Sequence, residues 1–258
     1  VPSTFRVLLD FLSRPERYSY GTHRWARADL YLPRRAEPPF PVAVVIHGGY
    51  WRARYSKRVM KAACADLARR GWAAWNIEYR RIGRGQGGGW PATFDDLAAA
   101  IDHLALLEDP RLLVSHGVTA VGHSAGGQLA LWAASREAPA VRVTRVVAQA
   151  AVCNLTVAGE PAWDLLGGRP ADVPERYDAA DPMRLLPLGV PTLLVHGAED
   201  ETVPVKRSRE YFAAAREAGD PVELVEPVPG GHRLHPDPRT EAWRVAAEWI
   251  ARPVRSAA

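Results

Sequence analysis

The chain has 258 residues, 47% hydrophobic and 24% charged, enough to bury one sizeable core. No run approaches the ~18 uninterrupted apolar residues of a membrane span, and two cysteines are too few for a disulfide framework or a Cys-ligated metal site. The formal charge of +4 is mostly spread arginine without a nucleic-acid-binding motif, which sets a nucleic-acid partner aside.

Near the start, FRVLLDFL is apolar, but Arg6 and Asp10 interrupt it and no small-residue cleavage site follows. The expectation is no signal peptide and a cytoplasmic protein. HRWARADLYLP then reads as an early strand ended by Pro33, and PVAVVIH as a buried strand. KRVMKAACADLARRG has the spacing of an amphipathic helix, with Gly71 as its stop. WAAWNIEYR is a strand, PATFDDLAAAIDHLALL a helix with Pro91 in its first turn, GVTAVGHS a strand and AGGQLALWAASRE a helix. VRVTRVVAQAAV, PTLLVHG and PVELVEPV are further strands, and SREYFAAAREAG and TEAWRVAAEWIAR are helices. Such alternation is the signature of an α/β domain, a mostly parallel sheet covered on both faces. Residues 1–258 are read as a single domain. Within it, about 154–190 is rich in Pro, Gly and Asp and breaks the alternation, as a small cap inserted between two strands would. Cys64 and Cys153 fall in separate apolar segments and read as buried, reduced core residues.

Residues 122–126, GHSAG, match G-x-S-x-G between a strand and a helix. There the serine sits on a strained turn with its hydroxyl above the sheet edge. Ser124 is therefore the candidate nucleophile, and the Ala125 N–H, at the new helix's start, is free to hold a developing negative charge. A serine needs a base, and in this order an acid follows the serine and a histidine follows the acid. HGAEDETVP supplies Asp200, with Glu199 and Glu201 as neighbours aimed elsewhere, and PGGH supplies His232, with His235 as runner-up. His232 and His235 could pair on a metal, but no further His or Cys cluster joins them. His123 should point away from Ser124, and His23, His103 and His116 carry no motif.

A strand that ends in HGGYW (47–51) offers backbone N–H groups to the same site, with two glycines allowing the loop to turn inward. His47 should brace this loop and Trp51 pack it from below. HGGYW, YRR (79–81), GHSAGG, HGAEDETVP and PGGH, in this order, resemble the α/β-hydrolase fold over about residues 31–250. Within it, HGGYW is similar to the H-G-G-x-W loop of kynurenine formamidases (arylformamidases) and related esterases. The resemblance implies oxyanion donors at Gly49 and Tyr50, with Ala125 as the third, and a triad of Ser124, Asp200 and His232.

Gly83, Gly85 and Gly88 have the spacing of a dinucleotide fingerprint, but Trp90 and Pro91 stand where the helix should already run. A flexible loop is expected instead. Trp51, Trp90 and Trp163 fall in loops or the insertion and are the candidates for an aromatic pocket. Arg52 or Arg54 could attract a carboxylate-bearing substrate.

The whole predicts a cofactor-free serine hydrolase of a small-molecule ester or amide, acting through an acyl-enzyme. Formamidase-like deformylation leads, a carboxylesterase or tailoring acyl hydrolase is the alternative, and a non-catalytic hydrolase-fold binder is a third reading. A peptidase is set behind these for want of room for an accessory domain. No metal, membrane or nucleic-acid partner is expected, while a homodimer is allowed. The rate should rise with pH as the imidazole base loses its proton.

Overall fold

The computed structural model describes residues 14–228 and 230–252. FRVLLDFL therefore lies outside the described residues. The strands are β1 Glu16–Ser19, β2 Arg27–Tyr31, β3 Phe40–Ile46, β4 Ala73–Ile77, β5 Leu112–Leu113, β6 Val118–His123, β7 Val143–Gln149, β8 Thr192–Gly197 and β9 Val222–Val228. They order as β1-β2-β4-β3-β6-β7-β8-β9, with β5 paired beside β3. Only the β1–β2 and β2–β4 pairs are antiparallel; β4 through β9 run parallel. The α/β-hydrolase architecture expected from the sequence is present.

The strand sequences are apolar on both sides because both faces are covered. Along β3, Val42, Val44 and Ile46 enter one core while Ala43 and Val45 enter the other, the two-residue period of a strand. The first core receives α2 (Ala92–Leu106) through Phe94, Leu97 and Ile101, and α3 (Ala125–Ala134) through Leu129. The second receives α1 (Lys61–Arg69) through Cys64 and Leu67, and α7 (Glu241–Ile250) through Trp243 and Trp249. Helix α7 begins where Thr240 accepts a hydrogen bond from the Trp243 N–H, an N-cap that satisfies one otherwise orphaned donor.

The boundaries differ from the sequence reading at three places. The first turn of the expected helix at Lys57 is a 3-10 turn over Lys57–Met60. Strands β1 and β5 were not expected: ERYS is a short, largely exposed edge, and β5 is two residues long, so neither carries a periodicity. Residues 154–190 hold two short helices, α4 (Glu160–Leu166) and α5 (Pro174–Ala180), which bury Leu165, Leu166 and Tyr177 in the first core. Helix α6 (Lys206–Glu217) follows β8. Both cysteines are fully buried free thiols, and burial raises each thiol well above its ordinary range, Cys153 to about 12.

Candidate active site

The loops after β3, β6, β8 and β9 converge at the carboxyl ends of the parallel strands, where open α/β sheets place their ligands. One residue separates β6 from α3, and that residue is Ser124, with φ 57° and ψ −119°. A non-glycine residue at positive φ is strained and persists only where its surroundings fix it. Here the Ser124 N–H donates to Gln149 O at 2.8 Å, and its carbonyl accepts from the Gly127 and Gln128 N–H groups. A side chain at Gly122 would place its Cβ 2.0 Å from Gly126 O, so the strand and helix can cross this closely only without one.

The base and acid reach Ser124 from the other side of the sheet. His232, in a 3-10 turn after β9, has Nε2 2.9 Å from Ser124 Oγ and Nδ1 2.7 Å from Asp200 Oδ2. Asp200 Oδ2 accepts, so Nδ1 carries the proton and Nε2 is left with its lone pair toward the serine hydroxyl. Asp200 Oδ1 accepts from the Thr202 and Val203 N–H groups, each at 2.8 Å. Burial works to raise the Asp200 carboxyl, but hydrogen bonds from His196, His232 and Val203 outweigh it and hold the group well below the usual carboxylate range. Glu199 and Glu201 are exposed.

His196 had no place in the sequence reading. It is fully buried, with Nε2 2.8 Å from Val203 O and 3.2 Å from Asp200 Oδ2, and Nδ1 2.7 Å from Ser208 Oγ. A histidine four residues before the acid, at a strand's end, was the available signal. His123 turns its Nε2 onto His232 O at 2.8 Å, away from the serine hydroxyl. His235, the runner-up base, is buried behind the triad, where its Nε2 accepts from the Gly197 N–H at 3.3 Å. Burial pushes both rings down to about 3, so both are neutral near pH 7. Among the described residues no group of three or more His, Cys, Asp or Glu side chains could hold a metal ion.

The HGGYW loop is held from below. His47 is buried, stacked on Tyr79 with ring centroids 4.3 Å apart, and its Nε2 lies 2.8 Å from Glu78 Oε1. Burial raises Glu78, yet the hydrogen bond and charge of His47, with Arg81 alongside, leave its carboxyl below the ordinary value. The Tyr79 hydroxyl donates to His47 O at 2.8 Å. Gly49 has φ +120°, and a Cβ there would lie 2.4 Å from the Tyr55 ring, so the position excludes any side chain twice over. Tyr50 and Trp51 follow, both with φ 56°. Among the described residues, the N–H groups of Gly49, Tyr50 and Ala125 donate no hydrogen bond within the protein.

The cavity above Ser124 measures about 300 Å³ and is lined by Gly48, Gly49, Tyr50, Tyr55, Val59, His123, Ser124, Thr202, His232, Arg233 and Pro236. The three tryptophans expected there do not line it. Trp51 is buried and donates from Nε1 to Gln128 Oε1 at 3.2 Å, and Gln128 Nε2 donates to Ala180 O at 2.9 Å. Trp90 packs on Phe94, and its N–H donates to Leu165 O at 2.7 Å. Trp163 lies under the Arg169 guanidinium, 4.6 Å from its ring centroid. These rings are drawn into the core and the insertion, where apolar area is buried more completely than at a cavity rim. No residue of 154–190 lines the cavity. Arg52 pairs with Asp164 at 2.7 Å, and Arg54 lies over the Tyr55 ring. The glycine-rich loop at Gly83 to Gly89 ends before α2 starts at Ala92, too late for a dinucleotide cradle.

A serine on a strand-to-helix turn, facing a histidine and a buried acid at the strand ends of an eight-strand path, has the arrangement of an α/β-hydrolase-type site. The chain belongs to the BD-FAE family, matched over residues 28–214, a carboxylesterase family of α/β hydrolases. It is 28% identical over 251 residues to Esterase LipQ of Mycobacterium tuberculosis, covering 88% of this chain and 57% of that protein. It is also 25% identical over 264 residues to the Uncharacterized peptidase YuxL of Bacillus subtilis, covering 93% of this chain and 39% of that protein. The chain thus spans about half the length of these relatives or less. Among solved structures it resembles the propionate-bound esterase Est2 of Thermogutta terrifontis, with a TM-score of 0.75, 23% identity and 92% of each chain covered. The BD-FAE family, LipQ and Est2 are esterase likenesses, whereas YuxL carries a peptidase name; an arylformamidase is not among these. No described helix is long and apolar enough to cross a membrane.

Proposed function

We propose that the protein is a carboxylesterase-type serine hydrolase that cleaves a small-molecule ester through an acyl-enzyme. The observation that carries this reading is the continuous line Ser124 Oγ, His232 and Asp200, at 2.9 and 2.7 Å, opening onto a cavity of about 300 Å³. Membership of an esterase family supports it. His232 Nε2 takes the Ser124 proton as Oγ attacks the acyl carbon, and Asp200 steadies the imidazolium that results. The N–H groups of Gly49, Tyr50 and Ala125 hold the oxyanion, each donor worth roughly 3 kcal/mol in the transition state. His232 then returns the proton to the departing alcohol, activates water, and the acyl group leaves as a carboxylic acid. Deformylation of an aryl formamide is the narrower reading, and it rests on the HGGYW loop alone.

The test is hydrolysis of short-chain aryl acetates beside N-formylkynurenine, with Ser124→Ala as control. Ester turnover that falls by roughly 10⁴-fold or more in the variant is expected. Turnover that survives Ser124→Ala would discard the serine mechanism, and fast deformylation without ester cleavage would restore the formamidase reading. Tight ligand binding with no hydrolysis of any acyl compound would leave a binding protein.

A further inference from the structure

We infer that this pocket selects esters whose apolar body carries a carboxylate, with Arg233 as the cation that recognises it; the inference rests on the esterase reading above. Four large hydrophobic side chains among the described residues are exposed: Tyr50 at 40%, Val59 at 45%, Leu106 and Val157. Single exposed apolar residues are ordinary. Two of these four, however, line the same cavity, and Tyr55 joins them there. An apolar surface kept open beside a nucleophile is a surface shaped for an apolar ligand group.

The charge at this cavity is one-sided. Arg233 lines it directly after the base, is exposed, and has no hydrogen-bond or ion-pair partner among the described residues. Arg52, Arg80 and Arg81 are occupied, by Asp164, by Asp96, and by Glu78 with the Tyr55 carbonyl, while Arg54 lies over the Tyr55 ring and does not line the cavity. No Asp or Glu lines the cavity, and the Asp200 carboxylate is already taken by His196, His232 and two backbone N–H groups. A free guanidinium fits a carboxylate with two parallel hydrogen bonds, while the aromatic and aliphatic wall takes the rest of the molecule. The anionic partner that sequence reasoning assigned to Arg52 or Arg54 falls to Arg233 because, among the described residues, it is the arginine that lines the cavity.

The test compares matched esters that differ in one charge. 4-Acetoxybenzoate beside its methyl ester places the anion on the leaving group, and monophenyl succinate beside phenyl butyrate places it on the acyl group. In at least one pair the wild type should favour the anion, and Arg233→Gln should reduce the anionic-over-neutral kcat/KM preference about fivefold, the size of a partly exposed ion pair. Arg233→Lys should restore part of that preference. The same preference in the wild type should shrink from low to high salt, a readout that stands even if Arg233→Gln is inactive. Equal preference in wild type and Arg233→Gln for both pairs, or a preference insensitive to salt, overturns the inference. Absence of hydrolysis for every ester would instead defeat the esterase reading on which it rests.

Discussion

The two walls of the active site are built by different physics. The wall formed by the loop after β3 and the turn after β6 is a backbone construction: positive φ angles at Gly49, Tyr50 and Trp51 in succession and at Ser124, close crossings that admit no Cβ, and free N–H groups. The wall formed by the end of β8 and the loops after β8 and β9 is a side-chain construction, in which His196, Asp200, His232 and His235 are fixed through hydrogen bonds and burial, with His123 of β6 bonding the His232 carbonyl. In the proposed mechanism the first wall stabilises charge by geometry, and a Cβ at Gly49 or Gly122 would collide within it. In that mechanism the second moves protons, and its members share load, since Asp200 has three supports besides His232.

Gly49→Ala should expose this difference most strongly. The residue adopts φ +120°, and its new Cβ would meet Tyr55 at 2.4 Å, so the loop must shift and two oxyanion donors shift with it. The expected result is a loss of roughly 10²- to 10³-fold in kcat, with circular dichroism showing folded protein. Near-normal kcat would mean that Gly49 and Tyr50 do not face the oxyanion.

On the other wall, His196→Leu removes one of several supports. The expected loss of activity is only about tenfold, because His232 and two backbone N–H groups still hold Asp200. Denaturant unfolding should show a stability loss of about 1–3 kcal/mol, since Val203 O would be left buried without its donor. An activity loss as large as that of Ser124→Ala would place His196 in the proton transfer itself.

How much of this was legible in the sequence follows the same division. The backbone wall announces itself, because glycines at fixed offsets after a strand have few other uses, and HGGYW and GHSAG could be placed before any coordinates. Asp200 and His232 were found from chain order and strand ends. The supporting histidines were not: His123 reaches the His232 carbonyl 109 residues away, which leaves no local pattern, and the four-residue spacing of His196 and Asp200 carries no motif by itself. The tryptophans misled for a related reason: a ring in a loop can turn inward as easily as toward a ligand, and Trp51 turned toward Gln128. Arg233 stands beside a predicted residue, yet its place on a cavity wall that no described Asp or Glu lines is visible only in the fold.

The side-chain wall should also give the protein its acid sensitivity. His123 and His235 are held neutral in the fold, each pushed down to about 3 by burial, whereas in the unfolded chain a histidine protonates near 6.5. Between these values the unfolded state binds more protons, so stability must fall as pH drops from about 6.5 toward about 3. Each ring contributes a slope approaching ~1.4 kcal/mol per pH unit near pH 5. Urea unfolding at several pH values should show this, and His235→Gln should reduce the slope between about pH 5 and 6.5, above the range where the depressed carboxyls add to it, if the fold is kept. An unchanged slope would mean that other groups carry the acid response.

The smallest effect is expected at Trp163, where the two accounts of residues 154–190 part. A cap that closes over the substrate would put this ring against the ligand, and Trp163→Ala would then raise KM by roughly tenfold, as loss of an aromatic contact does. The structure gives the segment a different task. Its apolar residues Leu165, Leu166 and Tyr177 face the core, and Ala180 O receives Gln128, which in turn holds Trp51 beneath the oxyanion loop. Trp163 itself stands beside Arg169 and lines no part of the cavity. Its removal should therefore leave KM within about twofold and cost about 1 kcal/mol or less from the exposed cation–π contact. Disturbing Gln128 instead, through Gln128→Leu, should lower kcat more than Trp163→Ala does, because Gln128 ties the segment to Trp51 beneath the HGGYW loop that the proposed mechanism uses.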